Sequence, residues 1–499
     1  MLHKQEKQRG QVQVLCIDDL VPADHLLRGV DAAIDFSFIY GEVEALYAAE
    51  IGRPSLDPVL LFKLPMLQYM FGIRSMRQTI KEIEVNMAYR WFLGLDFHDP
   101  VPHFTTFGKN YVRRFANTDI FERIFARILQ EAVSCGFVDA SAIFIDATHI
   151  KASANKKKGQ AVEVLTQAKH YQKQLDAEVR ADREARGKNP FQDRDDDDEP
   201  PPTKTTKQST TDPESGLFHK GEHEKMFAYT AHVACDKNNF ILGCAVSPGN
   251  VHDSVMFDDL YAHVIEKFPE TKALAVDAAY KTPWIIKQVF DSGRLPCTPY
   301  RAPMTKKGFF KKYEYVYDEY YDCVICPENQ VLPYSTTNRD GYREYKSDPK
   351  VCIHCPSLKK CTHSKNHQKV VTQHIWQQYL ERAEDVRHSP QGEAIYKMRG
   401  QTIERVFGDA KEKHLLRYTH LRGRARMRMQ VLLTFACMNL KKLAKWKAKT
   451  GFFQRFYVVF CYLFEKTSFG VCQMRFFFRL TRFLNRSACF RLKYKLSKM

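Results

Sequence analysis

The stretch Ser141-Ala-Ile-Phe-Ile-Asp146-Ala-Thr-His-Ile-Lys-Ala152 decides how the rest of the chain is interpreted. Its first five residues form a short apolar run, typical of a buried strand, and Asp146 ends that run. The pattern recurs where a second apolar run stops at Asp277. Open α/β sheets place their sites at the carboxyl ends of strands. We therefore expect these two aspartates to converge.

A third carboxylate, Glu404, lies in a stretch with helical patterning from Tyr396 to Lys411. Two strand-end aspartates and one glutamate on a helix can hold a pair of hard divalent ions, which phosphodiester chemistry needs. Each acid alone is more simply explained as a capping or salt-bridged surface residue. Three acids in matching contexts, within a basic chain, favour a catalytic site.

The amino-acid composition indicates which partners the protein binds and where in the cell it is found. The 499 residues include 76 Lys and Arg against 58 Asp and Glu, a formal charge of +18. This excess is typical of proteins that meet phosphate backbones, although a generally basic surface would also produce it. No secretory signal is evident, and the longest apolar run, 456–464, is too short for a bilayer. We expect a cytoplasmic protein with a DNA partner and no membrane association.

The predicted fold class is α/β, with a mixed-sheet catalytic core. We expect an all-helical, DNA-binding domain over residues 1–135 and the catalytic domain over 136–450. Two insertions interrupt the catalytic domain: a charged, partly disordered segment at 155–222 and a cysteine-rich segment at 301–385. Residues 451–499 form a basic, aromatic tail to which the pattern assigns no role.

Within the helical domain, the patterning predicts a helix that Asp57 caps and Gly72 stops, and in which Pro65 causes a kink or an early break. A second amphipathic helix is expected from Ser75 to Leu93.

Further along, a helix carries Lys109, Arg113 and Arg114. Residues four apart share one helix face, so these side chains suit a DNA-contact surface, with an ordinary solvated helix as the alternative.

The segment after the first strand is expected to contain an exposed charged helix from Ala161 to Arg186 and a disordered stretch from Gly187 to Ser215. The acidic run within that stretch is interpreted as solvated charge. Order should return with a β-hairpin over 225–246. Asp253 and Ser254, which precede the next helix, are interpreted as caps rather than catalysts.

Two Cys-x-x-Cys pairs in the cysteine-rich segment have the spacing of a structural zinc site. The first choice of ligands is Cys326, Cys352, Cys355 and Cys361, with Cys323 as a substitute. The alternative is a loop whose thiols simply pack.

Taken together, these features resemble the DDE transposases of bacterial insertion sequences that carry an InsH-like N-terminal domain. The resemblance covers roughly residues 15–447. It is carried by the segment Pro54 to Phe115, the block Ile145 to Ala152, the turn Pro248 to Ser254, the block Val276 to Lys281, the cysteine-rich segment, and the stretch Tyr396 to Lys411.

The resemblance implies an RNase H-like core in which Asp146, Asp277 and Glu404 bind two Mg²⁺ ions, which Mn²⁺ can replace. It implies binding of the transposon ends, strand cleavage by activated water, and transfer of the freed 3′-hydroxyl to target DNA. A homodimer across the paired ends and a place in the bacterial cytosol near the nucleoid follow by analogy. Ala147 and Ala279 stand where the family commonly has glycine.

Tyr396, Arg399, Glu404 and Lys411 resemble the family signature around the third acid, which implies DNA contacts for the tyrosine, the arginine and the lysine. Arg399 is separated from Glu404 by four residues rather than three, which leaves its role open. Two other functions remain open: a catalytically inactive, zinc-containing DNA-binding regulator and a cellular RNase H-like nuclease.

Overall fold

The computed structural model describes residues 14–48, 55–165, 171–191, 203–220, 224–302 and 305–465. In the described part of the chain before residue 135, every regular element is helical, as expected. The α-helices are α1 (Leu26–Ala33), α2 (Phe38–Val43), α3 (Pro58–Phe71), α4 (Met76–Val85), α5 (Met87–Leu93), α6 (Thr105–Asn110) and α7 (Ile120–Ser134).

The start and end of α3 are those expected. Asp57 Oδ1 accepts the N–H of Leu60 at 3.0 Å, and Gly72 ends the helix in the left-handed conformation. The helix passes Pro65 without ending, so the early break is not observed. The single helix expected over 75–93 is wrong. Asn86 ends α4, and its side chain caps α5 by accepting the N–H groups of Ala88 and Tyr89.

A mixed sheet follows the helices, which confirms the α/β class. Its strands and the neighbouring ribbon are β1 (Ala142–Lys151), β2 (Gly159–Leu165), β3 (Thr203–Ser209), β4 (Gly216–Lys220), β5 (Glu224–Cys235), β6 (Ile241–Pro248), β7 (Ala273–Val276) and β8 (Leu295–Cys297). Neighbouring strands run in the order β6-β5-β1-β7-β8, and β4 pairs with the start of β5. The pairs from β6 to β1 are antiparallel, and those from β1 to β8 are parallel.

Helices cover this sheet. They are α9 (Phe257–Lys267), α10 (Pro283–Asp291), α13 (Gln377–His388), α14 (Pro390–Lys397), α15 (Ile403–Lys413) and α16 (Arg424–Glu465). The helix α8 (Gln172–Ala185) packs beside Trp376 instead. The Asn439 side chain on α16 pairs with both backbone groups of Ile241 on β6, at 2.9 and 2.8 Å. One apolar core runs from the N-terminal helices through α16 to the sheet. In the described residues no helix is long and apolar enough to cross a bilayer.

A second sheet lies in the cysteine-rich segment. It contains β9 (Val316–Asp318), β10 (Cys323–Ile325), β11 (Val331–Thr337), β12 (Tyr342–Lys346) and β13 (Val370–His374), with the short helices α11 (Pro349–Cys352) and α12 (Leu358–Cys361). Its small core contains Tyr315, Val324, Leu332 and Tyr345. The segment at 301–385 therefore has a core of its own.

Three expectations for the first insertion need correction. Residues 161–165, expected to begin a helix, belong instead to β2. This strand pairs as a ribbon with β3, which was expected to be disordered or loosely held. The helix α8 is not simply exposed, because Leu175 and Val179, one turn apart, are buried beside Trp376. The acidic run at 195–199 lies outside the described residues, as does 466–499 of the tail.

Candidate active site

The sheet brings Asp146 and Asp277 together. Ile145 pairs with Val276 on the parallel neighbour β7, so the next residue of each chain segment is an aspartate. Adjacent strands are about 4.8 Å apart, which places the two carboxylates side by side. Asp277 follows its strand directly, as expected. Asp146 does not end β1, because the strand continues to Lys151 by pairing with β5.

Glu404 reaches the same region from the helix α15. It lies in the first turn of that helix, which packs against β1, and its side chain is exposed. Burial raises the pKa of the half-buried Tyr396, and the negative charges of Asp277, Glu404 and Asp146 raise it further. All three acids therefore lie within electrostatic range of one tyrosine.

Arg399 lies inside this acidic site. Its Nη2 donates to Asp146 Oδ2 at 2.6 Å, and its side chain is only 6% exposed. The helical stretch expected over 396–411 is interrupted here, since a 3₁₀ turn spans Met398–Gln401 before α15 begins. This turn changes the helical phase, so the arginine points inward despite its unusual spacing from Glu404. Its Nη1 is buried and has no hydrogen-bond partner in the described residues.

The electrostatics of Asp146 differ from those of an ordinary carboxyl group. Burial raises its pKa to about 6, and the charges of Asp277 and Asp253 act in the same direction. The guanidinium of Arg399 and the N–H of Ala147 oppose this shift. Carboxylates that raise one another's pKa in a partly buried site favour the arrival of a cation.

Sequence reasoning missed the region around Asp253. His252, not Asp253, provides the cap, since its Nδ1 accepts the N–H of Ser254 at 3.2 Å. The buried His232 lies on β5 near this turn, with Nδ1 4.0 Å from Asp253 Oδ1 and 3.4 Å from the Tyr280 hydroxyl. Burial lowers the pKa of His232 to about 4, so the ring is neutral at physiological pH. The sequence did contain a signal for Asp253: like Asp277, it comes shortly after a strand, here β6 and its following turn.

The chemistry of this donor set fits a hard divalent ion, because all the acids offer carboxylate oxygens. The described residues contain no group of three or more His, Cys, Asp or Glu side chains close enough to hold a metal ion. In this arrangement Asp146 is paired with Arg399.

Lys411, two turns after Glu404 on α15, is half-buried. The other basic residues expected to meet DNA are distant in sequence. Lys109 lies in the last turn of α6, and a π-helical turn, Tyr111–Phe115, follows that helix, so the expected single α-helix is wrong. Lys109 and Arg113 are exposed, whereas the guanidinium of Arg114 lies 4.4 Å from the centre of the Tyr47 ring.

Several of the cysteines gather around one tyrosine. The Tyr315 hydroxyl lies 3.2 Å from Cys361 Sγ, and Cys326 Sγ accepts the N–H of Gln330 at 3.3 Å. Burial raises the pKa of Cys361, and the charges of Cys352 and Cys326 act in the same direction. These thiols are neighbours. No three of them, among the described residues, lie close enough together to hold a metal ion.

Comparisons with known proteins identify two segments. Residues 15–113 match the transposase domain family DUF772, and residues 325–444 match the transposase DDE domain family. The first segment contains the exposed Lys109 and Arg113, and the second contains Arg399 and Glu404. No curated protein and no solved structure matches the chain significantly.

Proposed function

Because the chain is a DDE transposase of an insertion sequence, we propose that Asp146, Asp277 and Glu404 are its catalytic acids and bind the divalent ions needed for strand cleavage. The observation that carries the proposal is the pairing of Ile145 with Val276, which sets two aspartates side by side on parallel strands. Their position next to a buried arginine distinguishes them from solvated surface acids.

The sheet supports an RNase H-like core. Three antiparallel strands, β6, β5 and β1, continue into the parallel strands β7 and β8. Asp146 lies within β1, Asp277 directly follows β7, and Glu404 comes from a helix that packs on β1. This arrangement lets carboxylates from distant parts of the chain serve one site.

Mg²⁺ ions bound there would lower the pKa of the attacking water or 3′-hydroxyl and stabilise the leaving oxygen, with Mn²⁺ as a substitute. The roles of the chain's own residues follow from their positions. Asp146 and Asp277 would hold the ions from the sheet side, and Glu404 would hold them from the helix α15. Arg399 balances the charge of Asp146, and its free Nη1 is positioned to donate to a phosphate oxygen.

DNA binding is assigned to Lys109 and Arg113, with Tyr396 and Lys411 acting near the reacting strand. Lys109 and Arg113 are exposed because Phe107, Tyr111 and Phe115 bury the opposite side of their segment. Lys and Arg contacts to phosphates supply sequence-independent affinity. Arg114 contributes less to DNA binding, since it stacks on Tyr47. We assign the protein to the bacterial cytosol, as a homodimer across paired ends.

A structural Zn²⁺ ion, held by Cys326, Cys352, Cys355 and Cys361, is a separate proposal. Thiolates suit zinc, and the proposal is supported by the nearness of Cys326 and Cys352 to Cys361, whose pKa they act to raise. Purified protein should then contain about one zinc per chain by elemental analysis. Cys361→Ser should lose it, and Cys135→Ser, a half-buried cysteine outside the segment, should not. If the wild-type protein is purified without zinc and added zinc does not change its thermal stability, the zinc proposal is wrong and the thiols simply pack.

The test of the catalytic proposal uses DNA that carries the element's ends. Asp146→Asn and Asp277→Asn should each lower Mg²⁺-dependent cleavage by about 1,000-fold while still binding the ends. Asp259→Asn, at an exposed acid on α9, is the matched control. Wild-type protein that binds the ends but never cuts them would favour the inactive regulator. Cleavage of DNA regardless of the ends would favour the cellular nuclease.

A further inference from the structure

Asp253 is held in place by the backbone that precedes it. The N–H of Gly249 donates to the carbonyl of Ala228 on β5 at 2.8 Å. A Cβ at position 249 would lie 2.8 Å from that same carbonyl oxygen, so only glycine allows this close approach. A 3₁₀ turn, Asp253–Met256, then leads into α9. The backbone that leads to Asp253 is therefore anchored to the sheet.

The carboxylate of Asp253 has no structural task that explains its burial. Its side chain is 24% exposed, and within the described residues it makes no hydrogen bond. The adjacent cap belongs to His252, whose Nδ1 also lies 2.7 Å from the Ser254 hydroxyl. A partly buried carboxylate without donors is costly, so its retention calls for a partner.

The buried ring of His232, 4.0 Å from Asp253, does not supply a positive charge, because burial lowers its pKa to about 4. That ring is 1% exposed, and its Nε2 lies 2.9 Å from the Ser247 hydroxyl. Its Nδ1, 4.0 Å from Asp253, faces the Tyr280 hydroxyl at 3.4 Å. These contacts build a neutral polar layer beneath Asp253. The layer orients the carboxylate without neutralising it.

Asp253 interacts electrostatically with the acids already described. Burial raises the pKa of Asp253, the charge of the adjacent His252 opposes that rise, and the charge of Asp277 adds to it. The charge of Asp253 in turn acts to raise the pKa of Asp146. Three aspartates thus share a region in which Arg399 pairs with Asp146 alone. The buried Nη1 of Arg399, which lacks a partner among the described residues, is a separate sign that a ligand with acceptor oxygens belongs here.

We propose that Asp253 is a fourth carboxylate of the active site and binds a divalent ion together with Asp277. This inference rests on the proposed function, because the ion is the one that the three catalytic acids share. A fourth carboxylate raises the negative charge of the site and so its affinity for a divalent ion. The layer of His232 and Tyr280 positions it.

The test measures Mn²⁺ binding to the full-length protein without DNA, by the loss of the paramagnetic resonance signal of free Mn²⁺. Asp253→Asn should weaken Mn²⁺ binding by about tenfold, and Asp259→Asn should not change it. In end-cleavage assays, the Mg²⁺ concentration for half-maximal rate should rise by a similar factor for Asp253→Asn.

Unchanged Mn²⁺ affinity in Asp253→Asn, alongside a loss in Asp277→Asn, would overturn the inference and leave the three-acid site standing. Unchanged affinity in both Asp277→Asn and Asp146→Asn would instead overturn the proposed function. Asp253→Glu guards against misfolding, because it keeps the charge and should bind Mn²⁺ nearly as the wild type does. An equal loss in the Glu and Asn variants would mean that Asp253 is structural, and would also overturn the inference.

Discussion

Arg399 Nη2 lies 2.6 Å from Asp146 Oδ2, and this contact joins two residues that are 253 positions apart in the chain. The pair connects the central strand β1 to the turn that precedes the helix of Glu404. Both side chains are largely buried, with 6% and 18% exposure. The ion pair therefore connects the strand of the first acid to the turn before the third.

Removing the arginine should destabilise the protein. Arg399→Ala leaves a buried carboxylate without its cation, and the free energy of unfolding should fall by about 3 kcal/mol. Urea titration followed by circular dichroism measures this loss. In the double variant with Asp146→Ala, the two losses should not add, because each substitution removes the same interaction. Additive losses would show that the pair contributes little.

Metal affinity should depend on pH through Asp146. Burial raises its pKa from 3.8 to about 6, so below pH 6 a proton occupies the carboxyl group and competes with the metal. Mn²⁺ affinity should fall by about tenfold per pH unit below pH 6 and change little through Asp146 above it. Titrations of Mn²⁺ between pH 4.5 and about 8 give the curve. An affinity that holds steady down to pH 4.5 or so would contradict the raised pKa.

Two glycines that end helices offer a matched comparison. Gly72 and Gly94 both have positive φ, so Ala at either position is strained by about 1 kcal/mol. A Cβ at Gly72 would also lie 2.8 Å from the carbonyl oxygen of Lys413, at the end of α15, whereas a Cβ at Gly94 meets open space. Gly72→Ala should therefore destabilise the protein by about 2 kcal/mol more than Gly94→Ala in urea titrations. Equal losses would mean that the ends of α3 and α15 move apart to accommodate the added Cβ at little cost.

Much of this architecture was predictable because it follows local rules. The cap at Asp57, the stop at Gly72 and the strand before Asp277 were each expected and are observed. Asn86 was missed because a cap inside one continuous amphipathic pattern resembles an ordinary polar residue. The strand at 159–165 was missed because its partner lies about forty residues away, and pairing overrides the local helical preference.

Within the site, the convergence of the acids followed from strand order, but two features required the folded chain. The inward direction of Arg399 depends on a 3₁₀ turn, which residue spacing does not reveal. Asp253 was interpreted as a cap because it precedes a helix, and only the geometry shows that His252 has that task.

DNA affinity should respond to the exposed basic residues of the helical region. Lys109→Ala and Arg113→Ala should each lower the slope of log affinity against log salt by about one unit. Fluorescence anisotropy with labelled end DNA at several salt concentrations measures this slope. Lys267→Ala, an exposed lysine at the end of α9, is the control and should leave it unchanged. Slopes unaltered by both Lys109→Ala and Arg113→Ala would remove this face from the DNA interface.

The most direct test of the proposed catalytic site compares Glu404→Gln with Glu412→Gln, both on α15. Glu412 is exposed and paired with Arg417, outside the acidic site. Each protein is given end DNA and Mg²⁺, and cleavage and binding are measured together. We predict that Glu404→Gln binds the ends but cuts them about 1,000-fold more slowly, while Glu412→Gln cuts like the wild type. Undiminished cleavage by Glu404→Gln would contradict a single site built from Asp146, Asp277 and Glu404.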